Sequence, residues 1–106
     1  MITSTTSTLQ GKTIDTYHGV VSGEAIMGAN IVRDLFASVT DVIGGRSAAY
    51  EDKLVESREV AMKEMLERAQ AMGANAVIGI NLDFETIGQG MMMCIATGTA
   101  VTYRNA

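Results

Sequence analysis

The feature that most restricts this chain is a change of period at Gly73. Before it, apolar residues recur at helical spacing; after it, Ala76, Ile78, Ile80, Leu82 and Phe84 alternate with Val77, Gly79, Asn81, Asp83 and Glu85. Such alternation belongs to a strand. Its first half is apolar or small on both faces and its second half is one-sided, so the strand is expected to run from a covered region out to solvent. Gly88, Gln89 and Gly90 make a turn, and a further strand spans Met91 to Tyr103. One face of that strand carries Met93, Ile95, Thr97, Thr99, Val101 and Tyr103. The other carries Met92, Cys94, Ala96, Gly98, Ala100 and Thr102, smooth enough for a helix to lie close.

Upstream, β-branched and aromatic residues mark a strand over Thr13 to Glu24, weakened by Gly19 and Gly23. Those glycines predict a bulge or the close approach of another backbone, such as that of a neighbouring subunit. Gly28 ends the strand. Ile31, Val32, Leu35, Phe36, Val39, Val42 and Ile43 then share one wide apolar helical face, with Asn30 as its cap and Gly44–Gly45 as its stop. A longer helix is expected from Ala48 to Met72, capped by Ser47 and stopped by Gly73. Its packing stripe reads Leu54, Ala61, Met65, Ala69 and Met72, widened by Tyr50, Met62 and Leu66.

The expected fold class is therefore α+β in two layers. A small antiparallel three-stranded sheet packs on two helices in the order β-α-α-β-β, and Ile2–Thr8 offers a short edge strand to a neighbour. With 106 residues and no linker-like stretch, the chain reads as one domain over 1–106. A domain this small buries only a little over roughly 60% of the surface its unfolded chain exposes. Yet 47% of its residues are hydrophobic and 19% charged, and its strands look covered on both faces. One chain with two helices does not supply that cover, so a homo-oligomer is expected.

Composition narrows the partners. Twelve acidic against eight basic residues give a net charge of −4, a field that repels nucleic acid and anionic lipid. No apolar run reaches the roughly eighteen residues of a membrane span, and Met1–Gln10 lacks the basic and apolar parts of a leader. The single Cys94 cannot close an internal disulfide, which suits a reducing cytoplasm.

The words of the sequence are distinctive. GEAIMGANIVRDLFASVTDVIGGRSAAYE (Gly23–Glu51), AMGANAVIGINLDFE (Ala71–Glu85) and ATGTAV (Ala96–Val101) resemble successive blocks of the YbjQ family, and the resemblance covers essentially the whole chain. It implies a subunit related to the dodecin shape and assembly as a pentameric ring. It also implies a label, heavy-metal-binding, but no catalytic residues.

Candidate sites follow from donor chemistry. His18 and Cys94 are soft donors on different strands that could meet across the sheet to hold a heavy-metal ion, with Met91, Met92 and Met93 adding thioethers. The plainer alternative is a buried thiol, gap-filling methionines and a hydrogen-bonded imidazole. Asn81, Asp83 and Glu85 form an oxygen ladder suited to a hard cation, or simply a charged solvent edge. Gly44, Gly45, Arg46 and Ser47 place amides, a cation and a hydroxyl at a helix N-terminus, where an anion or small molecule could bind at an inter-subunit cleft; a capped helix turn explains the same residues. Glu24 ends a mostly apolar strand, either as a buried acid or as a structural bridge. No nucleophile–base pairing of a known motif occurs, so no enzymatic activity is expected.

Overall fold

The computed structural model describes residues 1–40 and 48–106. Its elements are β1 (Ile2–Thr3), β2 (Lys12–Met27), α1 (Ala29–Thr40), α2 (Ala48–Ala71), β3 (Ala76–Ile87) and β4 (Met91–Asn105). The mixed α+β architecture is as expected, but the sheet has four strands, in the order β1-β3-β4-β2. β2 and β3 both run antiparallel to β4.

The N-terminal segment departs from expectation. Ile2 and Thr3 pair in parallel with Ala76 and Val77 of the same chain rather than with a neighbour. The segment then continues along β3, where the Ser4 and Thr6 carbonyls accept hydrogen bonds from the amides of Ile80 and Gly79 at 3.1 and 2.8 Å.

Those two bonds hold a β-bulge. Ile78 faces Thr99, but the next paired residue, Asn81, faces Thr97, so β3 carries one residue more than β4. Gly79, at φ +61°, supplies the left-handed backbone this requires. The extra residue exchanges the faces. Val77 packs towards α2 while Ala76 and Ile78 lie on the opposite face, yet beyond the bulge Ile80 and Leu82 are the ones packed against the α2 core. The uninterrupted alternation expected from Ala76 to Glu85 is therefore corrected.

β4 follows its expected alternation. Cys94, Ala96 and Ala100 face α2, and Val101 and Tyr103 belong to a second cluster with Ile2, Leu9 and Ile14 on the far side. α2 comes so close because its contact ridge is small: Ser57, Ala61, Met65 and Ala69, spaced four apart, are buried. Leu54 is only half-buried, and Met72 is exposed just past the helix end, so the expected stripe is shifted. Gly23 is where the backbones meet. A β-carbon there would lie 2.1 Å from the Ala61 carbonyl oxygen and 2.5 Å from the Met65 nitrogen. The close approach read from Gly23 is real, but the approaching backbone is the chain's own helix.

α1 begins at Ala29, earlier than expected, with the Gly28 carbonyl accepting from the Val32 amide at 3.1 Å. Asn30 thus sits inside the first turn, where its side chain accepts from Arg33, instead of capping the helix. α2 stops as expected, Gly73 taking φ +92° and donating to the Gln70 carbonyl. Among the described residues no helix is long and apolar enough to cross a membrane.

Candidate functional site

α2 packs mainly on β2 and β4 and barely touches β3. One helix is about 10 Å wide and strands are about 4.8 Å apart, so one helix covers about two strands. Beside α2 this leaves a groove of about 690 Å³. Ile80 and Leu82 of β3 and Met62 and Leu66 of α2 form its apolar floor, and Ser4 and Thr5 close its far side. Arg58 and Lys63 on the rim alternate with Glu59 and Glu67, so the groove suits an amphipathic occupant better than a simple ion. The sequence shows Met62 and Leu66 as part of a packing stripe. That they border a groove depends on where α2 crosses the sheet.

The face away from α2 is covered only at one end, by the cluster around Ile2, Leu9 and Ile14. Further along, Tyr17, Val20 and Ile26 of β2 are 64%, 81% and 62% exposed. On the same face the Asn81, Asp83 and Glu85 ladder is exposed on β3. The Asn81 side-chain amide donates to Asp83 at 2.7 Å, occupying one of its oxygens.

His18 sits in a second irregularity, the step between Tyr17 and Gly19 where β2 carries an extra residue. Its Nε2 lies 2.7 Å from the Thr102 hydroxyl, which donates its single proton to the Gly73 carbonyl at 3.0 Å. Nε2 must therefore carry the proton of the first bond. The Thr102 hydroxyl thus ties Gly73, just past the end of α2, to the sheet, and the imidazole holds that hydroxyl in place. Cys94 is fully buried under α2. Burial pushes its thiol up; the Arg58 charge opposes that shift and the Asp83 charge adds to it.

Glu24 lies on the outer edge of β2. Arg68 donates to the Ser22 carbonyl at 2.9 Å and to Glu24 at 3.1 Å, and pairs with Glu64 one turn earlier on α2. Partial desolvation pushes the Glu24 carboxyl up, but the hydrogen bond and charge of Arg68, with the Ser22 hydroxyl, outweigh this and hold it below the usual value. Of the two readings of Glu24, the structural bridge is the one observed. Gly44, Gly45, Arg46 and Ser47 lie outside the described residues.

A family model with the description "Putative heavy-metal-binding" matches residues 1–104. The chain belongs to the YbjQ family. Among relatives of this YbjQ chain, a UPF0145 protein of Geobacillus kaustophilus is 62% identical over 105 residues, covering 99% of this chain and 100% of the relative. A UPF0145 protein of Anoxybacillus flavithermus is 64% identical over 101 residues, covering 95% and 96%. A crystal structure from Pediococcus pentosaceus, a protein of unknown function in the DUF74 family, shares the fold with a TM-score of 0.65. It is 14% identical, with 98% of both chains covered.

The donors of this YbjQ chain can be tested against that description. His18 bonds to Thr102 while Cys94 lies eight residues back along the same β4, a separation of about 26 Å at the rise of a strand. They do not meet within one protomer. Among the described residues no three His, Cys, Asp or Glu side chains come together as a metal site. The protomer alone does not fit a soft metal ion.

Proposed function

We propose that this chain is a self-assembling binding scaffold whose working form is a homo-oligomeric ring of the five-membered kind that the resemblance implies. One observation carries the reading: the sheet carries open apolar surface on both faces, the groove that α2 leaves over β3 on one and the bare Tyr17, Val20 and Ile26 of β2 on the other. Exposed apolar patches of this kind mark association sites. The shape of the protomer agrees. Its radius of gyration is 16.8 Å and its extents are 53 × 27 × 15 Å, whereas a closed domain of this length has a radius of about 13 Å. A thin slab has too little interior to bury what this sequence offers.

Light scattering and native mass spectrometry on protein taken directly from cells test the assembly, and the spectrum also reports any retained ligand. A mass several times the 11.2 kDa protomer is expected. A monomer at micromolar concentration refutes the proposal.

The family description favours a second reading, a heavy-metal protein whose ligands converge from several copies. In a ring, one donor per subunit would be repeated at the axis, so that a chain with one Cys and one His could assemble a soft site. The half-buried His18 fits that role better than Cys94, which α2 buries. Metal stoichiometry measured on the assembled protein and on the His18→Ala and Cys94→Ala variants decides it: unchanged stoichiometry in both removes these ligands.

A further inference from the structure

The chain holds a helix-sized groove without a helix, and a helix whose Ile31 its own fold leaves exposed. We infer that α1 of a second copy occupies the groove between α2 and β3, so that copies join head to tail. This rests on the self-assembly reading above and adds which surfaces meet.

The dimensions agree. The groove runs beside α2 from Arg58 to Gln70, thirteen residues of helix spanning about 18 Å. α1 has twelve residues, again about 18 Å. The sequence of α1 carries two neighbouring apolar stripes, Val32 with Phe36 and Ile31 with Leu35, joined by Val39. Val32 is buried in its own chain, whereas Ile31 is 42% exposed. The chain thus buries Val32 itself and leaves Ile31, one turn before Leu35, open to another surface.

Charge agrees as well. Arg33 and Asp34 are exposed on α1, and the groove rim offers Glu59 and Glu67 to the one and Arg58 and Lys63 to the other. Because the two surfaces are different patches, each copy gives one and receives one. Such a contact closes into a ring when the rotation between copies closes, at two copies for a half-turn and at more for a smaller one, and otherwise runs on as a filament.

Complementary variants test the pairing. Ile31→Asp spoils the donated helix and Leu66→Glu spoils the receiving groove. Each variant alone is expected to lose the assembly while keeping the parent's circular dichroism. Mixed one to one, they have a single good helix and a single good groove between them that can still join, so they are expected to form a dimer of twice the 11.2 kDa protomer mass and nothing larger. A milder pair, Ile31→Ala and Leu66→Ala, guards against misfolding and is expected to weaken association roughly tenfold or more.

If the parent is assembled and both pairs leave its mass and affinity unchanged, this pairing is overturned while self-assembly stands. If folded Ile31→Asp and Leu66→Glu are each monomeric but do not dimerise when mixed, the head-to-tail match is overturned. A monomeric parent overturns the assembly itself.

Discussion

Replacing Gly23 by alanine puts a methyl carbon where the backbone of α2 already lies. The new carbon would stand 2.1 Å from the Ala61 oxygen and 2.5 Å from the Met65 nitrogen, and neither atom belongs to a side chain that can swing away. Reaching an ordinary contact of 3.4 Å requires α2 to lift by about 1.3 Å. A gap of 0.5–1 Å already forfeits a quarter to a half of the dispersion attraction, and the loss extends along the Ala61, Met65 and Ala69 ridge. Overpacking of this kind costs about 1–3 kcal/mol, and a backbone clash belongs at the upper end. For a domain of about 100 residues that lowers Tm by roughly 4–24 °C. Urea unfolding at a fixed protomer concentration measures it, since association shifts apparent stability. Gly88→Ala, with nothing within 4 Å, is the control and is expected to unfold near the parent's midpoint. A Gly23→Ala midpoint within about 0.5 kcal/mol of the parent would show that α2 does not rest on Gly23 and refute the packing described.

At the bulge, Gly79→Ala meets open space but must hold φ +61°, so a loss of roughly 1–2 kcal/mol is expected from backbone strain alone, with Gly79→Asn losing less by urea titration. Cys94→Ser places a hydroxyl in the apolar core under α2 and is expected to cost about 1–3 kcal/mol, while in the parent the buried, upshifted thiol should react with alkylating reagents only as the protein unfolds. Glu24 is held below its usual value, so its contribution is complete above the unfolded carboxylate value of 4.5 and is lost as pH falls through the lower folded value. Stability measured against pH should therefore decline less steeply in acid for Arg68→Ala than for the parent. Equal slopes would show that the Arg68 bridge does not govern Glu24.

The sequence shows β4 well because its pairing with both neighbours leaves its own alternation unbroken. Cys94, Ala96 and Ala100 face the helix as their spacing predicts. β3 is less legible although its pattern looks just as regular. A glycine within a strand signals a bulge, and Gly79 is that signal, but residues on both sides of it are apolar, so nothing in the spacing shows the exchange of faces. The oxygen ladder of Asn81, Asp83 and Glu85 is visible from spacing, because it lies wholly beyond the bulge. The pairing of His18 with Cys94 fails for a different reason. Position along neighbouring strands depends on register, which sets Ala25 and not His18 opposite Cys94.

The sequence by itself determined the element types, most of their bounds and the small face on which α2 lies, since these follow from local periodicity and residue volume. Only the tertiary structure decided that the N-terminus pairs with β3, that the faces exchange at Gly79, and that α2 leaves a groove over Ile80 and Leu82. Each of these depends on how far one backbone is displaced relative to another, a distance set by many contacts together and written in no single stretch of residues.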